Sequence, residues 1–290
     1  MSAFASKGFN ANAYLALRPT YSRALLQWLL AYHAGPRTAA ADIACGPGTF
    51  TTDILPAFGH VIGVDPSPSM IASAQEDARA QGLTNVEYKQ GFGEHLPIES
   101  NSIDFMTVME GAHWFRITDF LNEALRVLRP GGTLALVGYS YPEIANWPES
   151  MKGSEFARRL ATDEDKLMQY WDKGLALLET AYAPFLPSLR ERGFDDIRHV
   201  AFPQKRWASA VDGVDALPDK WIDSKDMPLD GFRAYLKTWS AYKAWKDAHP
   251  NEEDILDAYF DKRQQDLGKD GNEQVTIEWP HFAIVARKPL

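Results

Sequence analysis

The sequence predicts an α/β protein with a doubly wound, mostly parallel sheet and a helical cap supplied by insertions. Two observations carry this. Between residues 38 and 141, short apolar runs alternate with helical patterns, as in a parallel sheet covered on both faces. After Tyr141 the alternation stops, and helical, aromatic-rich stretches follow, with one strand-like segment between them and another at the end.

The elements follow in order. "YSRALLQWLLAYH" puts Leu25, Leu26, Leu29 and Leu30 on one face and predicts a helix over 21–33. "TAAADIAC" is a buried strand ending at the turn "GPG", and "FTTDILPAF" a short helix broken by Pro56. "HVIGVD" is the second strand. "SPSMIASAQEDARAQGL" is a helix opened by Ser67 as N-cap and closed at Gly82. "VEYKQG" and "SIDFMTVME" are the third and fourth strands. "ITDFLNEALRVLRPGG" is a helix stopped by Pro130 and two glycines, and "TLALVGYS" is the fifth strand. Beyond it, "SEFARRLA", "DKLMQYWDKGLALLETAY", "LDGFRAYLKTWSAYKAWKDA" and "EEDILDAYFDKRQQDLG" have helical spacing. "GFDDIRHVAF" is strand-like, and "QVTIEWPHFAIVARK" is a last strand pair or one broken strand. The expected organisation is an N-terminal lid and first helix (1–37), a ligand-binding core (38–141), a helical cap insertion (142–190), a core strand (191–202), a second cap insertion (203–272) and a C-terminal core strand (273–290).

Composition narrows the function classes. The 290 residues carry a formal net charge of −9, and phosphate backbones need a basic face, so a nucleic-acid partner is disfavoured. One cysteine, Cys45, excludes an internal disulfide and fits a reducing, cytoplasmic setting. No stretch is long and apolar enough for a membrane span. The histidines lack metal-ligand spacing, so no metal site is expected. The expected partner is a small molecule, and the expected state a monomer or homodimer.

The chemistry concentrates at strand ends. "DIACGPGTF" brings Asp42, Gly46 and Gly48 to the end of the first strand, where glycines let backbone N–H groups approach a ligand. Seventeen residues after Gly48, Asp65 ends the second strand, where a carboxylate can accept from ribose hydroxyls. A dinucleotide site prefers a third glycine, but Thr51 stands there. The pattern therefore fits a nucleoside cofactor without phosphates.

The set "DIACGPGTFT…GVDPSPSMI…GEHLP…RVLRPGGTLAL" resembles the class I S-adenosylmethionine-dependent methyltransferases, which have a Rossmann-like fold. With "YLALRPTY", "GAHWF" and "TWSAYKAW" added, the chain is similar over nearly its whole length to the fungal trans-aconitate methyltransferase group. That group implies a seven-stranded sheet with a helical cap, S-adenosyl-L-methionine as cofactor, and methyl-ester formation on a small di- or tricarboxylic acid. The alternative is O- or N-methylation of a phenol or amine in fungal secondary metabolism. For the cofactor, the resemblance implies Asp42 near the methionine amino end, Gly46 and Gly48 as backbone contacts, and Asp65 on the ribose. Pro66 and Met70 would lie beside the adenine, Gly93 and Glu94 at its edge, and Met109 and Glu110 next to the sulfonium. Tyr14 and Arg18 would close on the cofactor carboxylate. Ala44 departs from the glycine that many members carry. For the acceptor, it implies Tyr21, His113, Trp114, Trp239, Ser240 and Tyr242. Members that take tricarboxylates carry a Gly-Arg pair after the Tyr-Trp of the cap. Here "YWDKGLALL" offers Lys173 but no arginine, which points to a smaller or less charged acid.

Overall fold

The computed structural model describes residues 18–148, 153–163, 165–171, 174–207, 211, 213–217 and 220–290. The chain forms two compact units.

The larger unit comprises 21–139, 174–221 and 281–290. Its strands are β1 (Ala39–Ile43), β2 (His60–Asp65), β3 (Val86–Gln90), β4 (Ile103–Met109), β5 (Leu128–Tyr139), β7 (Asp195–Phe202), β8 (Asp215–Ala216) and β11 (His281–Arg287). They form one sheet in the order β3-β2-β1-β4-β5-β11-β7-β8. The first five are parallel, and β11 runs antiparallel between β5 and β7. The sheet therefore has eight strands instead of the expected seven, because the two-residue β8 pairs with β7 at the edge. Helix α1 (Arg23–Tyr32) buries Leu25 and Leu29, while Leu26 and Leu30 are only half-buried. Helix α2 (Thr49–Ile54) gives way to a 3-10 turn at Pro56, and α3 (Pro68–Ala80) starts on Ser67, whose hydroxyl accepts the Met70 N–H. Helix α4 (Ile117–Val127) buries Phe120, Leu121 and Ala124 against the sheet. At the amino end of β1, the buried Asp104 carboxylate accepts the Thr38 and Ala39 N–H groups and pairs with Arg129 at 2.7 Å.

The smaller unit comprises 1–20, 140–173 and 222–280, of which 18–20, 140–148, 153–163, 165–171 and 222–280 are described. Strands β6 (Glu143–Ile144), β9 (Lys225–Pro228) and β10 (Gln274–Glu278) form a three-stranded antiparallel sheet in the order β6-β10-β9. Helices α5 (Gly153–Thr162), α8 (Leu229–Leu236), α9 (Ser240–Ala248) and α10 (Ile255–Leu267) complete it. Phe156, Phe232 and Phe260 meet at its centre with ring separations of 5.0–6.2 Å.

Several expected boundaries are corrected. Residues 174–190 were expected in the cap. They form α6 (Leu175–Glu179) and the start of α7 (Phe185–Glu191) in the larger unit, because Leu178, Ala181, Tyr182, Phe185 and Leu189 are core residues there. Residues 203–221 leave the expected second insertion for the same reason, with Trp207 and Trp221 buried in that unit. The expected C-terminal core strand 273–290 is two strands in different sheets, broken at Pro280, which has no N–H for a ladder. The pattern 165–182 is not one helix, and 229–248 divides because Trp239 is extended at the N-cap of α9.

Candidate active site

Strands β1 to β4 are parallel, so their carboxyl ends share one edge, and loops leaving that edge form the ligand crevice of such sheets. Asp42 lies near the end of β1 and is 1% exposed. Its carboxylate accepts from Thr51 Oγ1 at 2.7 Å and Thr107 Oγ1 at 2.8 Å. Burial pushes its pKa up to about 6, and the two hydroxyls oppose the shift. Asp42 thus ties the end of β1 to Thr51 of α2 and Thr107 of β4.

The chain then turns through three left-handed residues, Ala44 (φ 57°), Gly46 (φ 55°) and Gly48 (φ 85°). A Cβ on Gly48 would stand 2.5 Å from the Tyr88 hydroxyl, whereas one on Gly46 would meet nothing within 4 Å. Gly46 therefore presents bare backbone to open space. Its N–H donates to Asp65 Oδ2 at 2.9 Å, and the Ser67 N–H donates to Oδ1 at 2.8 Å. Burial raises the Asp65 pKa, against those two N–H groups. Each carboxylate oxygen has a second lone pair, so Asp65 can take two more donors. Pro66 is half-buried beside it and Met70 is buried at the start of α3. Burial also pushes the Cys45 thiol up, which keeps it protonated and suits packing.

The loop after β3 holds Gly93 and Glu94. A Cβ on Gly93 would lie 2.7 Å from the Phe115 ring, and Glu94 Oε1 accepts the Arg116 N–H at 2.9 Å. The loop is thereby tied to the "GAHWF" segment. Met109 and Glu110 end β4. Glu110 is left-handed (φ 55°), and its Oε2 accepts the Tyr139 N–H at 2.7 Å. A Cβ on Gly111 would come within 2.6 Å of the Ala44 Cβ, so glycine here matches the alanine in the glycine loop. Ala112–Trp114 makes one 3-10 turn. His113 Nδ1 lies 3.3 Å from Tyr182 Oη, and the His113 and Trp114 rings are 5.0 Å apart. Gly174 passes so close that a Cβ there would fall on the His113 carbonyl oxygen. Tyr21 meets Phe50 of α2 edge-on at 5.7 Å, just past the glycine loop.

The larger unit thus gathers Tyr21, Asp42, Ala44, Gly46, Gly48, Asp65, Pro66, Met70, Gly93, Glu94, Met109, Glu110, His113 and Trp114. Arg18, Trp239, Ser240 and Tyr242 lie in the smaller unit. The Arg18 guanidinium covers the Tyr235 ring at 5.6 Å, and its carbonyl accepts from Lys225 Nζ. Trp239 is buried against Trp171 and Tyr141 at 5.2 and 6.0 Å. Ser240 opens α9, and the Tyr242 hydroxyl donates to Asp254 Oδ2 at 2.5 Å. Tyr14 and Lys173 lie outside the described residues. Tyr182, which faces His113, escaped sequence reasoning because "LALLETAY" reads only as an apolar helix.

Comparison with known proteins places this geometry. The family described as "Methyltransferase domain" matches residues 41–136, from β1 into β5. A Saccharomyces cerevisiae protein named "Probable S-adenosylmethionine-dependent methyltransferase CRG1" is 27% identical over 99% of this chain and 98% of its own. A protein of Dictyostelium discoideum named as a methyltransferase is 27% identical over 97% of this chain and 94% of its own. The solved structure of a protein named as a type II methyltransferase, from Anaeromyxobacter dehalogenans, superposes with a TM-score of 0.64 at 25% identity, covering 94% and 98% of the two chains. The fold and the strand-end site define a nucleoside-dependent group-transfer enzyme. More particularly, residues 41–136 match a methyltransferase domain, and the similarities support S-adenosylmethionine-dependent methyl transfer, with S-adenosylmethionine as cofactor. Its residues fit that group: Gly46 offers bare backbone in open space, and Asp65 keeps lone pairs for ribose hydroxyls. Among the described residues, no helix is long and apolar enough to cross a membrane.

Proposed function

We propose that the protein esterifies a small organic acid by transferring the methyl group of S-adenosylmethionine to a carboxylate oxygen. The cofactor supplies an electrophilic methyl group on a cationic sulfur. Gly46 and Gly48 would hold its methionine part through backbone, Asp65 its ribose, and Pro66, Met70, Gly93 and Glu94 its adenine. Asp42, Ala44, Met109 and Glu110 would shape the floor. Tyr14 and Arg18 as cofactor residues, and Trp239, Ser240 and Tyr242 as acceptor residues, rest on the sequence resemblance to the trans-aconitate group. Tyr21, Trp114 and His113 are the acceptor residues of the sheet unit.

The observation that carries this reading is the chemistry at the end of β4. Glu110 is held on the Tyr139 N–H, while the His113 ring faces a phenol hydroxyl and lies against Trp114. A hydrogen-bond donor and an aromatic wall suit an acceptor that is ionised already, as a carboxylate is at neutral pH. Such an acceptor needs alignment and desolvation more than a base. The segment beside this turn, Gly174 to Leu178, carries leucines and alanine without a cation, and Leu175 packs against the core. That favours an acid less charged than a tricarboxylate.

The test is incubation with S-adenosylmethionine and a panel of acids, phenols and amines, with products read by mass spectrometry. A methyl ester that mild alkali returns to the acid is expected, with a rate flat in pH well above the acid's own pKa. Trp114→Ala should lower turnover more than cofactor affinity. An alkali-stable product whose rate climbs through neutral pH would replace this reading with the phenol or amine one.

A further inference from the structure

The segment that carries Tyr182 is held in a costly conformation. Ala181 (φ 48°) and Tyr182 (φ 60°) are consecutive left-handed residues, and neither is glycine. Surrounding contacts over-determine them. The Tyr182 N–H donates to the Leu177 carbonyl at 2.8 Å. Burial lowers the pKa of His199, so its ring is neutral, and its Nε2 lies 2.8 Å from the Ala181 carbonyl, which an N–H there satisfies. The Tyr182 ring is fully buried between Phe185 at 5.7 Å and Phe282, edge-on, at 4.8 Å. The result of this strain is a fixed hydroxyl 3.3 Å from His113 Nδ1.

We propose that Tyr182 is a positioning residue that holds His113 as the Nε2–H tautomer, so that the imidazole meets the acceptor as a hydrogen-bond donor and not as a base. The direction of the bond follows from the hydroxyl's surroundings. Burial foremost, then Glu110, pushes the Tyr182 pKa well up, so the phenol keeps its proton. Among the described residues, the hydrogen-bond partner of this buried hydroxyl is His113 Nδ1. A buried O–H needs an acceptor, so the phenol gives its proton and Nδ1 receives it. A neutral imidazole that accepts at Nδ1 carries its proton on Nε2. The donor role rests on the reading of "GAHWF" as the acceptor site, whereas the tautomer does not.

The experiment is ¹⁵N NMR of the full-length protein labelled at histidine, with the His113 signals assigned by their loss in His113→Gln. The expected result is a protonated Nε2 and an unprotonated Nδ1 at neutral pH. Tyr182→Phe, which keeps the ring, should mix the tautomers. It should also lower kcat about tenfold, the loss of one oriented hydrogen bond, with S-adenosylmethionine affinity by calorimetry unchanged. Turnover is measured on whichever acid is esterified in the panel. A protonated Nδ1 in the unaltered protein, or an unchanged tautomer in Tyr182→Phe, would overturn the inference. Lost tautomer order with unchanged turnover would leave His113 oriented by Tyr182 but remove it from the acceptor site, overturning the donor role alone.

Discussion

Asp65 in the larger unit and Asp254 in the smaller one are built from the same local pieces and end in opposite states. Both accept two backbone N–H groups near a helix start, Gly46 and Ser67 on Asp65, and Leu256 and Asp257 on Asp254. Asp254 then also receives the Tyr242 hydroxyl, with Lys237 and Lys246 ammonium groups at 3.7 and 3.6 Å. Burial tends to raise its pKa, but Tyr242, the N–H groups and Lys237 outweigh that, and the pKa falls below the ordinary value. On Asp65 the burial wins and the pKa rises. A carboxylate kept short of donors is set up to bind something, while one surrounded by donors already holds the fold. The difference sets the residue proposed to meet the cofactor apart from one that holds its own fold, where residue type and position cannot.

The largest expected effect breaks this pair apart. On the proposed reading, Asp65→Ala removes charge-assisted hydrogen bonds to the cofactor ribose, each worth about 1.5–3 kcal/mol. Calorimetry should therefore show S-adenosylmethionine affinity falling by tenfold or more, alongside a stability loss of about 1–3 kcal/mol from the Gly46 and Ser67 N–H groups left without their acceptor. Asp254→Ala should show the stability loss alone: removing the N-cap costs about 1 kcal/mol, and cofactor affinity should hold. Unchanged affinity in Asp65→Ala would remove Asp65 from the cofactor site.

The next effect separates the units by pH. The Asp42 pKa rises from 3.8 to about 6 on folding, so protonation favours the folded state. Its contribution is fully present below pH 4 and lost as pH rises through about 6, a swing of about 3 kcal/mol. Asp254, with a lowered pKa, contributes above the ordinary carboxylate range, and that contribution is lost as pH falls through its folded value. Denaturant unfolding between pH 4 and 8 should thus show Asp42→Asn flattening the loss at higher pH, with Asp254→Asn leaving that part of the profile in place. A profile identical to the unaltered protein's in Asp42→Asn would show that Asp42 is ionised throughout.

How much the sequence revealed follows the same division. Asp42, Gly46, Gly48, Asp65 and the Ser67 cap were legible because strand ends, turn glycines and caps are local chemistry, written within a few residues. The edge strand β8 was not, since two residues carry no period. The unit boundaries at 140, 174, 222 and 281 were hidden because aromatic-rich helical segments serve both cores with the same spacing. The family resemblance names Tyr242 and Trp239 as acceptor residues. What the sequence could not show is that Asp254 already holds the Tyr242 hydroxyl, and that Trp239 is buried against Trp171. Tyr182 and the Ala44–Gly111 contact depend on chain segments far apart in sequence meeting in space.

The smallest effect concerns two glycines, one in each unit, that are required for different reasons. A Cβ on Gly111 would meet the Ala44 Cβ at 2.6 Å, a side chain that another substitution can remove. A Cβ on Gly153 would fall on the Ile144 carbonyl oxygen, a backbone atom of β6 that no substitution removes. Gly111→Ala should therefore cost about 1–3 kcal/mol as an overpacked contact, and Ala44→Gly in the same chain should recover most of it. Some cost remains, because Val108 Cγ1 would still lie 3.3 Å from the new methyl. Ala44→Gly alone trades lost packing for relief of the left-handed φ of 57°, where a side chain costs about 1–2 kcal/mol, and should come out near neutral. Gly153→Ala should cost at least as much as Gly111→Ala and find no partner that restores it. A double-mutant cycle by denaturant unfolding reads all of these. If Ala44→Gly and Gly111→Ala prove simply additive, the two residues do not touch, and the alanine in the glycine loop does not dictate the glycine at the head of "GAHWF".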